Sequence, residues 1–420
     1  MQLALFGGKK VRQKEFPNHP LIGDDEKKAV MSVLESGNLS TFSATSGKNF
    51  LGGKKIREFE EDFAHYIGTK YAVSFNSATA ALHAAVVSVG VKPVHEVIVP
   101  PYTFTSTATS VLMHNAIPIF CDIQSDIFCI DPNEIEKKIN PLTHAIIPVH
   151  LFGHPAEMDS IISIAKQHNL KIIEDCAQAP GARYKGKNVG TIGDCGIFSF
   201  QETKNIATGE GGMLVTNDDK IAETARMVRN HGETILESQT QRTYQTNFLG
   251  WGYRMTELEA ALGIEQLKKI DQWNEIRRKL ADIVTNEINK IDGLNHVKRD
   301  YVQHAYYVYG FTFDKSKIGI SREQFVKALN AEGIPFSQGY VKPLYLNPIY
   351  HDFKPFAYNY YKGNAIYDKG LCPITEDLYE NKMVLTLVLR PPLTETDTQD
   401  IITSIHKVID NKHEFEKNKS

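Results

Sequence analysis

Short apolar runs alternate along the chain with longer stretches in which apolar residues recur every three or four positions. The runs are YAVSF (71–75), EVIVP (96–100), IPIFCDI (117–123), HAIIPVH (144–150), KIIEDC (171–176), GIFSF (196–200) and GMLVTN (212–217), each of a length that suits a buried strand. Helical patterns lie between several of them. After Pro155, for instance, Met158, Ile161, Ile162 and Ala165 fall at helical spacing. Strand, helix, strand in succession predicts βαβ units, hence an α/β fold whose mostly parallel central sheet is flanked by helices. In such sheets ligands bind beyond the carboxyl ends of the strands, which is where polar residues matter most.

Beyond residue 250 the pattern changes. Thr256 and Glu259 in TELEAALGIEQLKKI fit a capping box that opens a long helix. The segments AYYVYGFTF (305–313), REQFVKALNAEG (322–333) and MVLTLVL (383–389) then predict a smaller α+β C-terminal domain. The expected division is an N-terminal arm and opening helix over 1–30, a large domain over 31–265 and a small domain over 266–420. The last of these ends in KHEFEKNKS, read as a frayed and charged tail, and FLGGKK reads as a loop.

Composition narrows the function classes. A chain of 420 residues exceeds one ordinary core, and 42 % hydrophobic with 23 % charged residues is the usual balance of a globular protein. A net charge of −3, without a basic stretch interleaved with aromatics, argues against nucleic acid as a partner. No apolar run approaches the roughly 18 residues of a membrane span, and that of MQLALFGGKKVRQK is too short for a signal peptide, so a cytoplasmic protein is expected. Five scattered cysteines without CxxC spacing speak against a disulfide framework or zinc ribbon. His150 and His154 in HLFGH are the best metal lookalike, but Gly153 and Pro155 break any helix that would align them, and no metal is expected.

Three strand ends carry candidate chemistry. YAVSF leads into NSATAALHAAV, where a helix N-terminus with Ser77, Ala78 and Thr79 either cradles a phosphate or is simply capped. KIIEDCAQAPGA ends a strand with Glu174 and Asp175, of which alternation turns one inward and one outward, with Gln178 in reach; such carboxylates serve a ligand or cap the next segment. GIFSFQETKNIATGEGG places Ser199 in a strand and Lys204 just past it, a residue that in isolation reads as a solvated charge. Phosphate cradle, carboxylate and amine at neighbouring strand ends together match what pyridoxal 5′-phosphate requires.

The motifs NSATAAL, VIVPPYTFTSTA, IIPVHLFGHPAEMDSI, IIEDCAQAPGARYKGKNVGTIGD, FSFQETKNIATGEGGML and YRMTELEAALGIEQL closely resemble those of the DegT/StrS-type sugar aminotransferases, fold-type I pyridoxal-phosphate enzymes, over roughly residues 20 to 410. The resemblance implies that Lys204 is the Schiff-base lysine and proton shuttle. It further implies that Asp175 pairs with the pyridine nitrogen, Gln178 bonds the ring's phenolic oxygen and Phe104 stacks on the ring. Ser77, Ala78, Thr79 and Ser199 would hold the phosphate. An amine suits the first role because, unlike a guanidinium, it can lose its proton and attack.

The chain departs from the family pattern in two places. LGWGYRM carries Gly252 where the family has an Asn that reaches a partner's cofactor phosphate, leaving backbone, water or Asn247 to substitute, with Arg254 a candidate anion contact. In YVKPLYLNPIY, Tyr345 replaces a frequent His in a region that lines the substrate end of the pocket. The stretch 40–60 is longer than in the shortest members and is expected to shape that pocket too.

The expected function is transfer of an amino group from glutamate or glutamine to a keto sugar, nucleotide-linked, or to a keto-cyclitol, by a homodimer with shared active sites. A pyridoxal-phosphate sugar dehydratase has His in place of the lysine, against which Lys204 stands. Lys204, Asp175, Gln178 and Ser199 oppose a non-catalytic cofactor-binding paralogue. A nicotinamide-dependent oxidoreductase is opposed by the absence of GxGxxG after YAVSF.

Overall fold

The computed structural model describes residues 2–42, 48–234, 246, 248–352 and 354–417. All seven apolar runs become strands of one sheet: β1 (Tyr71–Phe75), β2 (Glu96–Val99), β3 (Ile117–Phe120), β4 (Thr143–Ile146), β5 (Lys171–Asp175), β6 (Cys195–Ser199) and β7 (Gly212–Thr216). Their order is β1-β7-β6-β5-β4-β2-β3. Neighbours from β6 across to β3 pair in parallel, whereas β7 runs antiparallel to both β1 and β6. The run HAIIPVH outlasts β4 because Pro148 has no N–H to give to a ladder.

Helices cover the sheet as the patterns require. In Ala78–Ser88 every residue from Ala80 to Val86 is buried, and its many alanines let it lie close to the strands. Lys54–Ile67 buries Ile56, Phe59, Phe63 and Ile67 at helical spacing, with Phe63 edge-on to Phe198 at 5.1 Å. Thr256 caps Glu257–Leu267 through the expected box: its hydroxyl accepts from Glu259 N at 3.3 Å and its own N–H donates to the Glu259 carboxylate at 2.7 Å. Gly263 of that helix leaves room for Phe59, whose ring would lie 2.6 Å from a Cβ there.

A second antiparallel sheet holds β8 (Leu294–Asn295), β9 (Tyr309–Phe313), β10 (Ser337–Gln338) and β11 (Met383–Thr386) in the order β8-β9-β11-β10. It shares a hydrophobic cluster with helices Ile270–Ile288, Arg322–Ala331 and Glu395–Asp410. The N-terminal arm joins this cluster through Leu3, and Ala4 and Val11 donate their N–H groups to Glu332, which also pairs with Lys407 at 2.8 Å.

Three expectations change. The opening helix spans Asp24–Ser36 and so runs past residue 30. The tail is not frayed over Glu414–Lys417, a helical turn that buries Phe415 against Phe6 at 5.3 Å; one aromatic outweighs the surrounding charge. Within 40–60, residues 43–47 lie outside the described residues, Lys48–Leu51 forms a 3-10 turn in what read as loop, and Ile56 and Phe59 belong to the core rather than to a pocket.

Candidate active site

The carboxyl ends of β5 and β6 and the turn after β1 meet around Asp175. The two carboxylates of β5 point to opposite faces, and neither reaches solvent: Glu174 is fully buried and Asp175 is 4 % exposed. Glu174 accepts from the N–H groups of Gly190, Ile192 and Gly193 at 2.8, 2.7 and 2.7 Å and lies 3.0 Å from His150 Nε2, so it pins the loop before β6. Asp175 faces the other way, accepting from the Thr107 hydroxyl at 2.8 Å and from Ala177 N at 3.1 Å. Burial raises the Asp175 carboxyl above the usual range, against the lowering pull of those two donors and of the Lys204 charge.

On the same side Ser77 N-caps the helix Ala78–Ser88, its hydroxyl accepting from Ala80 N at 3.1 Å. That cap engages Ala80 N, so the N–H groups of Ala78 and Thr79 remain at the helix end. The hydroxyls of Thr79 and Ser106 are 2.8 Å apart, and the Oδ1 of Asn76 is buried with no partner. Gly212 at the start of β7 presses against this turn: a Cβ there would meet Ala78 N and Ser77 O at 2.5 Å. Ser199, at the end of β6 opposite Gly212, is 5 % exposed and accepts from Gln201 N at 3.3 Å. Phe104 precedes the helix Ser106–Met113 with its side chain 60 % exposed.

Lys204 sits in the loop between β6 and β7. Its N–H donates to Gln201 O at 2.8 Å, and its Nζ lies 4.1 Å from the centroid of the Tyr307 ring. His19 of the N-terminal arm reaches the Lys204 carbonyl, with Nε2 at 2.9 Å. Gln178 is 3 % exposed and doubly held: Oε1 accepts from Phe152 N at 2.8 Å and Nε2 donates to the Tyr340 hydroxyl at 2.9 Å. Burial pushes the Tyr340 phenol up, and its φ of 148° is one a bulky residue seldom adopts.

Other expected residues lie elsewhere. Tyr345 is fully buried, its hydroxyl donating to Glu376 and accepting from Cys372 N and its ring 5.7 Å from that of Phe120, so it packs in the core rather than lining a substrate pocket. Arg254 donates to His231 Nε2 at 3.0 Å and lies 5.7 Å from the Phe42 ring, with no carboxylate paired to it among the described residues. Gly252 is exposed and bridges to Asn230, while Asn247 lies outside the described residues. His150 is held by Glu174 and by Ala156 N, and His154 Nδ1 lies 2.7 Å from Pro155 O, so the HLFGH pair is used in packing. His150, Glu174 and Cys176 bring ligand-type atoms within 4.8 Å of one another, but hydrogen bonds already occupy the Glu174 carboxylate.

Thr107, Tyr307, Tyr340 and His19 escaped the sequence reading. Thr107 stood inside VIVPPYTFTSTA but was masked by its hydroxyl neighbours; Tyr340 opens YVKPLYLNPIY and Tyr307 lies in AYYVYGFTF, yet neither was singled out there, and His19 comes from a distant segment that carries no local signal.

Similarity to known proteins follows the geometry. The profile of the DegT/DnrJ/EryC1/StrS aminotransferase family matches residues 35–406. Spore coat polysaccharide biosynthesis protein SpsC of Bacillus subtilis is 34 % identical over 93 % of this chain and 96 % of its own. GDP-perosamine synthase of Caulobacter vibrioides is 38 % identical over 71 % of this chain and 79 % of its own. The crystal structure of an aminotransferase from Psychrobacter cryohalolentis superposes with a TM-score of 0.84 at 30 % identity, covering 95 % of this chain and all of that one. With a profile match over most of its length and relatives that align end to end, the chain belongs to the DegT/DnrJ/EryC1/StrS family of pyridoxal-phosphate-dependent aminotransferases.

Proposed function

We propose that this protein transfers an amino group from glutamate or glutamine to a keto sugar carried on a nucleotide, as a step in amino-sugar synthesis. The observation that carries the reading is the convergence of a buried carboxylate, an open helix N-terminus and one flexible amine, Asp175, Ser77–Thr79 and Lys204, at adjoining strand ends. GDP-perosamine synthase among the relatives supports a nucleotide sugar as acceptor. Two relatives bear names of glutamine-dependent aminotransferases of an inosose, which supports a keto-cyclitol as the second reading.

The residues fit pyridoxal 5′-phosphate. Gly212 lets β7 press against the Ser77–Ala78 turn, and the N–H donors of Ala78 and Thr79 at the helix end suit a phosphate. Ser77, Ala78, Thr79 and Ser199 would hold its phosphate, Asp175 its ring nitrogen, and Phe104 and Gln178 its ring, once the Gln178 amide gives up Tyr340. Bound there, the cofactor supplies an electron sink and a carrier for the amino group. Lys204 would tether it, and the Lys204 amine would take the proton from the Cα of the amino donor. Asp175 would face the ring nitrogen as a carboxylate, its charged form favoured by the Thr107 and Ala177 donors against the larger opposing effect of its burial.

A homodimer and a cytoplasmic location complete the proposal. Among the described residues no helix is long and apolar enough to cross a membrane. Leu249, 77 % exposed, and Phe248, 42 % exposed, stand just before Arg254 in the chain and support a partner subunit covering that segment. The large and small domains are proposed to divide near residue 265, where the helix Glu257–Leu267 ends. To test the function, cofactor-loaded protein is mixed with glutamate or glutamine and loss of its visible absorbance is followed, then keto-sugar nucleotides and keto-cyclitols are screened for restoring it. Recovery by one class assigns the acceptor, and no response to any amino donor refutes the reading.

A further inference from the structure

The turn that carries Lys204 runs into Gly209, Gly211 and Gly212, which have no side chains to fix it, and neighbouring segments supply the hold. Thr203 Oγ1 lies 2.9 Å from the Tyr307 hydroxyl, and Asn205 Nδ2 donates to Asn274 Oδ1 at 2.8 Å and to Ala305 O at 2.9 Å. The lysine amine itself rests 4.1 Å from the centroid of the Tyr307 ring. Lys204 spends its N–H inside the turn, on Gln201 O at 2.8 Å, which leaves its carbonyl as the group that faces another segment. That carbonyl meets His19 of the N-terminal arm, whose Nε2 lies 2.9 Å away.

The arm is anchored on both sides of His19. Upstream, Arg12 N donates to Glu332 O at 3.0 Å, and the Arg12 guanidinium, buried at 4 % exposure, pairs with Asp397 at 3.0 Å and Asp400 at 2.8 Å. Downstream, the buried Gln266 amide donates to Leu21 O at 3.0 Å and accepts from Ala207 N at 3.4 Å, so it ties arm and lysine loop together a second time. Pro17 and Pro20 restrict the backbone between these anchors. Burial lowers the His19 ring to about 4, with the Arg390 charge adding to the pull, so near pH 7 the ring is neutral. A neutral imidazole facing an acceptor must carry its proton on the facing nitrogen, and His19 Nε2 therefore donates to the Lys204 carbonyl. The lysine side chain has to swing between Tyr307 and the cofactor while its Cα stays in place. A donor fixed on the carbonyl resists the peptide rotation that would carry the amine out of line.

We propose that His19 is a positioning residue for Lys204: through the lysine's carbonyl, the N-terminal arm holds the turn from which the amine works. This rests on the aminotransferase reading. The test compares full-length His19→Ala and His19→Gln with the wild type at saturating pyridoxal 5′-phosphate, the glutamine offering an N–H near the place of Nε2. At saturating glutamate or glutamine, the rate constant for loss of the visible absorbance should fall about 10- to 100-fold in His19→Ala, the range expected for a displaced reacting group. Half-saturation by the donor should stay unchanged, and His19→Gln should restore most of the loss. An α-deuterated donor should show a larger isotope effect in His19→Ala than in the wild type, because proton transfer by Lys204 is the step that suffers. In cofactor-free protein, where no reaction contributes, amide hydrogen exchange should quicken over 201–211 in His19→Ala and keep the wild-type rate in β1 and β5. An unchanged rate constant, a His19→Gln protein as slow as His19→Ala, or exchange that quickens evenly across the sheet overturns the assignment and leaves the aminotransferase reading intact. A wild type inert toward every amino donor overturns that reading instead, and the exchange comparison alone then decides whether His19 holds the lysine turn.

Discussion

Replacing Gly212 by alanine tests the geometry of the phosphate cradle more sharply than removing any side chain that lines it. The new Cβ would stand 2.5 Å from Ala78 N, Ser77 C and Ser77 O, whereas ordinary contact begins near 3.4 Å, so backbone must yield by about 0.9 Å. β7 cannot yield, since Gly212 pairs with Phe75 on one side and Ser199 on the other. The Ser77–Ala78 turn moves instead, and with it the N–H groups at the helix end. Overpacking of this size costs about 1–3 kcal/mol of stability, and a displacement of about 1 Å at a reacting group is worth about 100-fold in rate. Gly212→Ala should therefore fold, lose bound cofactor on dialysis, and drop kcat/KM by about two orders of magnitude. Gly209→Ala is the control: φ is +89°, so the substitution strains backbone, but no atom lies within 4 Å of its Cβ and the cradle stays in place. Visible absorbance after dialysis, read beside thermal melting, decides the matter. Full cofactor retention by Gly212→Ala, or equal loss by Gly209→Ala, refutes the reasoning.

Thr107→Val removes a donor that lowers the buried Asp175 carboxyl, so that carboxyl rises further and the acidic limb of the rate profile should move to higher pH, with Thr107→Ser restoring it; superimposable profiles contradict this. Tyr345→Phe should cost about 1–3 kcal/mol in urea unfolding, because Glu376 and Cys372 N lose a buried partner, while half-saturation by the donor stays unchanged. His19, His83 and His154 are pulled by burial from 6.5 to about 4 in the folded chain. The unfolded chain then binds protons first, so stability should decline as pH falls from 6.5 toward 4; a flat urea midpoint over that window contradicts it.

Much of this was legible in the residue pattern because the sheet is buried on both faces. Continuous apolar runs such as EVIVP have few other interpretations, and Thr256 with Glu259 announces its own helix start. The reversed direction of β7 was not legible, since strand direction depends on the connection rather than on the run GMLVT. What the glycines after Lys204 accommodate was not legible either. Gly211 and Gly212 admit Thr208, Met255 and the Ser77 turn, so they bring the cradle to the lysine loop. Alternation separated Glu174 from Asp175 correctly in direction, but that Glu174 would be consumed by three backbone N–H groups depends on a loop folded back from residues 190–193. His19 and Tyr307 reach Lys204 only through the arm and the segment before β9, and nothing local in their sequence marks them. Tyr345 was placed by its neighbours Pro343 and Leu344, and the burial of its own ring decided otherwise.

The central claim is that Lys204 is the covalent attachment point for pyridoxal 5′-phosphate. Borohydride reduction of cofactor-loaded protein, followed by peptide mass mapping, tests it directly. The account predicts bleaching of the visible absorbance and a phosphopyridoxyl mass on the peptide containing Lys204, both absent in Lys204→Ala. A modified peptide elsewhere in the chain, or full transamination by Lys204→Ala, contradicts it.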